Sequence, residues 1–273
     1  MIESEKIKRE MLKARIIKHL VNNSNKANEK GYLNHFEENL INSVLLDDFK
    51  IDLENGDGNE LYGKFNALHS SSALGVNFFG FFKRHLDRFS VFGQRDFNKA
   101  QFEKKLPTAM SRPPNLDFYL ENEKYVIGFE SKFLETLSKK KPDISTAYSD
   151  KLLSLVDKGF IEIVSHYRGN DINLYLDTAQ LIKHSIGLIK NKNSKKAKLV
   201  YIYWEPLNPK DFPSYTQHKT ELDEFSELIK CVSGIEFHHT TYLEFYETFI
   251  SDNFFRQHLE NFKEKYFFNL ESE

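Results

Sequence analysis

The sequence predicts an α/β fold in which one helix is followed by three strands, a second helix and a further strand. Three observations carry that order. Residues 116–121 and 125–133 alternate apolar and polar side chains with the period of two that marks a half-buried strand. Across residues 172–190, Leu174, Leu181, Ile182, Ile186, Leu188 and Ile189 recur at helical spacing. Residues 199–204 form a short apolar run of strand length.

The remaining elements follow in chain order. Residues 3–21 read as a basic amphipathic helix with the stripe Met11, Ile16, Ile17, Leu20 and Val21. A polar linker, 22–30, ends at Gly31. Residues 36–46 suggest a short helix through Leu40, Ile41, Val44 and Leu45, and 55–59 a Gly/Asp/Asn turn. Ser70, Ser71 and Ser72 offer an N-cap for a helix reaching about residue 86. Residues 100–106 are the first strand, and Pro107, Pro113 and Pro114 bound the loop after it. The next two strands form a hairpin turning at Asn122 and Glu123. After the strand 199–204 come a helix at 220–231, a short strand at 234–237, and one or two aromatic-rich helices within 242–268.

The hairpin carries the chemistry. Leu116, Phe118 and Leu120 share one face, with Asp117 and Tyr119 on the other; in the second strand Val126, Gly128, Glu130 and Lys132 share a face. The expected register sets Asp117 opposite Gly128 and diagonal to Glu130, with space for an ion above the glycine. Two carboxylates that close repel each other, and a hard divalent cation relieves the repulsion. Mg²⁺ takes one or two carboxylates, keeps several waters and binds phosphate oxygens, and Mn²⁺ is expected to substitute. Lys132 would orient water or neutralise charge on phosphorus oxygens.

Pro114-Asn115-Leu116-Asp117 followed by Glu130-Ser131-Lys132 resembles the signature of the PD-(D/E)XK nuclease superfamily, with Asn115 and Leu116 relaxing the Pro-Asp pair. Gly63-Lys64-Phe65, His69 to Leu74, Asn77-Phe78-Phe79, Ala179 to His184 and Tyr203 to Pro206 look like a bacterial restriction-endonuclease-like group within it. The resemblance implies an αβββαβ core with a mixed central sheet flanked by helices, plus N- and C-terminal helical additions. Residues 1–54 would be a helical segment packed on the core, and 55–273 the nuclease-like domain. It further implies a metal-dependent endonuclease acting on DNA in restriction or phage defence, and admits a homodimer and a cognate methyltransferase. A same-fold nuclease of DNA repair or RNA processing, and a non-catalytic nucleic-acid-binding protein, stay open beside it. The catalytic set would be Asp117, Glu130, Lys132 and Gln180. Asp117 and Glu130 would hold the metal with an extra acid, Glu103 or Glu60, of which Glu103 is the better placed.

Other residues weigh less. Gln180 and His184, four apart, share a helix face; Gln180 is weighed equally between the site and solvent, and His184 is expected as a structural partner of the sheet edge. Glu135 is expected outside the metal's ligands. Adjacent His238 and His239 point to opposite strand faces and make a poor chelate. The 273 residues carry 38 basic and 40 acidic side chains, which excludes a generally basic coating protein but not a local phosphate-binding patch. The clusters 139–141 and 190–198 read as solvated lysine loops. The single cysteine, Cys231, excludes a disulfide framework and reads as a small buried apolar group. With 25 Phe and 13 Tyr the core should be strongly aromatic. No Walker A, dinucleotide-binding or nucleophile-elbow pattern is present. Absence of a long apolar run or leader segment points to a cytoplasmic location without membrane contact.

Overall fold

Strands β1 (Lys99–Lys105), β2 (Asn115–Glu121), β3 (Tyr125–Lys132), β4 (Lys196–Tyr203) and β5 (Glu236–Thr241) lie side by side in chain order in one sheet. β1, β2 and β3 form an antiparallel meander, whereas β4 joins β3, and β5 joins β4, in parallel. The structure is a computed structural model that describes residues 2–56, 61–108, 112–169 and 172–271, with side chains from residue 6 onward. Its helices are α1 (Ile2–Asn22), α2 (Lys50–Glu54), α3 (Ser71–Arg84), α4 (Asp150–Ser154), α5 (Gly159–Tyr167), α6 (Thr178–Asn191), α7 (Pro213–Leu228), α8 (Tyr242–Glu247) and α9 (Arg256–Tyr266).

Connection chemistry explains the mixed sheet. The β2–β3 turn is short because Asn122 Oδ1 accepts the N–H groups of Lys124 and Tyr125 at 2.9 and 2.7 Å, which folds the chain straight back. Parallel neighbours need long crossovers, and these hold α4, α5 and α6 before β4 and α7 before β5. Helix α3 starts where Ser70 accepts the Ala73 N–H at 3.2 Å.

Each sheet face has its own core. On one, Phe78, Phe79 and Phe82 of α3 meet Phe118 and Phe129 of the sheet and Phe245 and Phe262 of α8 and α9. The Phe79 and Phe118 rings stack with centroids 4.5 Å apart. Leu12, Ile16 and Leu20 of α1 close this layer from the N-terminal side. On the other face, Phe160 and Ile163 of α5, Leu181 and Ile186 of α6, and Leu222 and Phe225 of α7 pack on Val126, Leu199 and Tyr201. The αβββαβ order and the aromatic core are thus as expected.

Several expectations are corrected. Residues 36–46 hold a short 3-10 turn, Phe36–Asn39, instead of a helix, and a second turn follows at Leu46–Asp48. Buried Asn39 donates to the Phe65 and Ala67 carbonyls, and the Ile41 N–H goes to Asn77 Oδ1, so this backbone is tied to its neighbours rather than to itself. Residues 172–177 are irregular, with Leu174 bridging Lys140 and a bend at Tyr175 and Leu176, and α6 starts only after Asp177 caps the Gln180 N–H at 3.1 Å. The buried stripe of α1 is Leu12, Ile16 and Leu20, rotated from the expected one, and Met11 is exposed. Helix α7 begins at Pro213, because proline suits the first helical turn. Lys196 to Lys198 open β4 instead of a loop, and buried Lys198 pairs with Glu236 at 2.5 Å. Cys231 is exposed, its thiol turned to the Leu228 carbonyl at 3.1 Å. Among the described residues no helix is long and apolar enough to cross a membrane.

Two buried histidines set an acid limit on this fold. His258 lies between Ser43 Oγ at 2.8 Å and the Phe78 carbonyl at 2.9 Å, and His218 sits 3.0 Å from the Tyr201 hydroxyl. Burial lowers them to about 4 and about 3. Below about 6.5 the unfolded chain therefore takes up protons that the folded chain refuses, and stability falls with pH. Urea unfolding between pH 7 and 4 should show each histidine contributing up to ~1.4 kcal/mol per pH unit. His258→Gln, which keeps an amide for both partners, should remove about one proton from that slope. An unchanged slope would refute the assignment.

Candidate active site

The sheet and α6 open a cleft of about 510 Å³ lined by Glu103, Asn115, Asp117, Glu130, Lys132 and Gln180, with Ser70, Ser71 and Ser72 on the opposite wall. Five of these six side chains, all but Gln180, come from the neighbouring strands β1, β2 and β3, and Gln180 comes from the helix laid across them.

Glu130 and Lys132 are two apart on β3 and so face the same way, toward α6. Lys132 Nζ donates to Glu130 Oε1 at 2.5 Å and to Gln180 Oε1 at 2.8 Å. Gln180 reaches it from the first turn of α6. One turn on, His184 Nε2 lies 2.8 Å from Glu130 Oε2, an ion-pair distance at an angle short of a well-directed hydrogen bond. Further along, Gly187 lets α6 pack closely on the β1–β2 connection: a Cβ there would meet Leu106 Cβ at 2.9 Å and Pro114 Cγ at 3.4 Å.

Asp117 joins from β2. Its Oδ2 accepts the Ser131 N–H at 2.6 Å, which ties the two strands together at the cleft. The regular ladder ends one residue before, at Phe118 and Phe129. Leu116 then packs on the α6 side while Phe118 and Leu120 pack on the α3 side, so the expected alternation breaks at Asp117. Across the sheet, Glu103 has a left-handed backbone, φ +48°, between the Phe102–Phe118 and Lys104–Leu116 pairs. That kink brings Glu103 Oε2 to 3.3 Å from Asn115 Nδ2.

The register differs from the expected one by two residues. Tyr119, not Asp117, pairs with Gly128, which puts Asp117 level with Glu130 rather than diagonal to it. Gly128 leaves no room for an ion, since a Cβ there would lie 2.4 Å from Leu116 Cδ1 and 3.1 Å from Leu188 Cδ1. The glycine serves packing.

Charge is unevenly shared. Burial pushes the Glu130 carboxyl up, but Lys132 and His184 outweigh it and hold the group down at about 2. Asp117 is pushed well above the usual carboxylate range by burial and by the neighbouring charges of Glu130 and Glu103, which Lys132 and the Ser131 N–H only partly offset. Burial alone would lower Lys132, yet Glu130 and Asp117 raise it, so it stays protonated. The arrangement thus holds one fixed anion, one fixed cation and a carboxyl short of positive charge.

Of the residues singled out in the sequence, Asp117, Glu130, Lys132, Gln180 and Glu103 all line one cleft. Glu60 lies outside the described residues. Glu135 also lines the cleft, but its carboxylate is engaged by the Ser71 hydroxyl at 2.7 Å and the Phe133 N–H at 2.8 Å. His238 and His239 sit apart, against Lys198 and Asp223. His184, expected at the sheet edge, is at the site; its spacing from Gln180 was the available signal. Asn115 was also overlooked as a cleft residue, and its buried Oδ1 has no hydrogen-bond partner among the described residues. The three carboxylates Asp117, Glu130 and Glu103 are the groups that could hold a cation. Among the described residues no cluster of three or more Asp, Glu, His or Cys side chains is already drawn together as a ligand shell.

The family model REase-ARP, described as Restriction Endonuclease associating with ARP, matches residues 5–267. The chain belongs to that family. No curated protein and no solved structure matches it. Membership in REase-ARP agrees with the mixed five-stranded sheet and flanking helices of a restriction-endonuclease-like fold. In this REase-ARP chain the match takes in every cleft residue named above.

The packing of Gly128 gives a test of the register. Gly128→Ala should destabilise the fold by about 1–3 kcal/mol, the range for forcing an extra carbon into a filled core. Chemical denaturation would measure it; an undiminished stability would mean that space does exist above Gly128.

Proposed function

We propose that the protein is a metal-dependent endonuclease that hydrolyses DNA phosphodiester bonds on the PD-(D/E)XK pattern, in restriction or another defence role. The observation that carries this reading is the convergence of Asp117, Glu130, Lys132 and Gln180 on one cleft in a chain of a restriction-endonuclease family.

The residues suit a hard divalent cation such as Mg²⁺, with Mn²⁺ as substitute. Asp117 lacks compensating charge, Glu103 faces it across the sheet, and the orphaned Asn115 Oδ1 adds a neutral oxygen. Asp117, Glu130 and Glu103 would hold the ion. When bound, such an ion lowers the pKa of a coordinated water and neutralises charge on phosphate oxygens.

The protein's own groups have distinct parts in this reading. Lys132, held protonated, cannot serve as a base; it donates to the oxyanion that develops on phosphorus. Gln180 fixes the lysine's direction through its carbonyl oxygen. The N-terminus of α3, at Ser71 and Ser72, opens on the same cleft, and its partial positive charge favours a phosphate there. The family description associates these endonucleases with ARP, and the proposal carries that association to this chain.

Plasmid cleavage with and without Mg²⁺ tests the reading. Lys132→Met should lower turnover by about 10² or more, the range for removing one transition-state donor, and Asp117→Asn should lower it by weakening the hold on the metal. DNA affinity at fixed salt should change far less, because one phosphate contact among several is altered. Cleavage that survives removal of divalent cations, or equal loss of binding and turnover in Lys132→Met, would defeat it. The second outcome would favour a nucleic-acid-binding protein.

A further inference from the structure

We propose that His184 is a positioning residue that fixes the Glu130 carboxylate, an inference that rests on the nuclease reading of the cleft. The imidazole is 1% exposed, as is Glu130, and Nε2 stands 2.8 Å from Oε2. It occupies the sheet-facing side of α6 among Leu181, Ile182, Ile186 and Leu188, all buried. Neither of its ring nitrogens has a well-directed hydrogen bond among the described residues. An imidazole placed in an apolar layer costs stability unless a partner compensates, so an aliphatic side chain would serve packing better. What the histidine supplies is a contact with the one Glu130 oxygen that Lys132 leaves alone.

The geometry gives that contact a purpose. Lys132, itself held by Gln180 Oε1, approaches Glu130 Oε1 from the cleft side, and His184 stands against Oε2 from within the α6 layer. With Lys132 bonded at one oxygen and the His184 ring 2.8 Å from the other, the carboxylate is hindered from turning about its last bond. Gln180 and His184 are one helical turn apart, so a single helix face sets the lysine and the carboxylate relative to each other. Groups behind metal ligands commonly orient them in this way, and their loss costs about 10–100-fold in metal affinity or activity.

The test uses the full chain with His184→Phe, which fills the space without a donor, and His184→Gln, which keeps one. Mn²⁺ affinity is measured by calorimetry, and kcat and KM on plasmid DNA with Mg²⁺. His184→Phe should lose about 10–100-fold in both Mn²⁺ affinity and kcat, with KM for DNA nearly unchanged, and His184→Gln should recover most of both. Wild-type Mn²⁺ affinity in His184→Phe, or equal behaviour of the two variants, overturns the inference. Should His184→Phe not fold, His184→Asn replaces it: its shorter amide falls short of Glu130, so Gln and Asn variants that behave alike are the overturning result. Asp117→Asn separates the two levels. If wild type cleaves no faster than Asp117→Asn, the nuclease reading falls, and the Mn²⁺ series alone decides whether His184 positions Glu130.

Discussion

The buried charge of Glu130 is the constraint on which the rest of the site depends. A carboxylate at 1% exposure is tolerable only with partners, because desolvation penalises the ionised form heavily. Lys132 meets one oxygen and His184 the other. Those contacts draw α6 against β3, and along the same helix Gly187 lets it pack on the β1–β2 connection, where a Cβ would strike Leu106. They also explain why α6 starts late. Asp177 caps it at the point that brings Gln180 level with the lysine, and the irregular residues before it are held to Lys140 by the Leu174 bridge.

The same charge shapes the neighbouring strands. With Glu130 held ionised, Asp117 beside it bears the repulsion, and its one backbone donor, the Ser131 N–H, does not offset this. A regular ladder would continue Asp117 into the packed sheet. Instead the pairing stops at Phe118, Leu116 swings to the other layer, and Glu103 adopts a left-handed backbone that costs on the order of 1–3 kcal/mol. The kink turns a row of strand residues into a cleft wall carrying three carboxylates. Strain of this kind persists only where surrounding packing over-determines it, and here Leu116 filling the space over Gly128 does so.

What the sequence made legible follows from how local each signal is. The β2–β3 hairpin, the start of α3 at Ser70 and the crossover helix α6 were readable because alternation, a capping serine and an apolar stripe each span a few neighbouring residues. The faces of Glu130, Lys132 and Gln180 came from period alone. The register was not readable: Asn122 draws in both Lys124 and Tyr125 and its own N–H goes to the Tyr125 carbonyl, so the turn falls at Glu123 and Lys124, one residue on from the expected pair, and the pairing shifts by two. The 3-10 turns of residues 36–48 depend on Asn39, Asn77 and Asp48 reaching remote or local backbone, contacts that hydrophobic spacing does not encode. The sequence places His184 one helical turn from Gln180, but only the three-dimensional approach of α6 brings it to the Glu130 carboxylate. Helices α4 and α5 lie in the crossover between β3 and α6, a stretch to which the sequence reading had assigned no element.

The unequal chemistry of the two sheet faces makes the site precise. Behind β3, Phe129 and Phe133 lock into rings from α3, α9 and Trp204, with Phe79 to Phe129 at 4.9 Å and Phe133 to Trp204 at 5.1 Å. Ser131 adds a hydroxyl contact to Tyr242 at 2.7 Å on that same side. Because successive strand residues alternate, Glu130 and Lys132 sit between side chains that cannot move without opening the aromatic core. The aromatic excess visible in the composition therefore does more than fill volume. It makes the strand a rigid mount, on which the few polar contacts of the opposite face hold a buried carboxylate and a lysine in place.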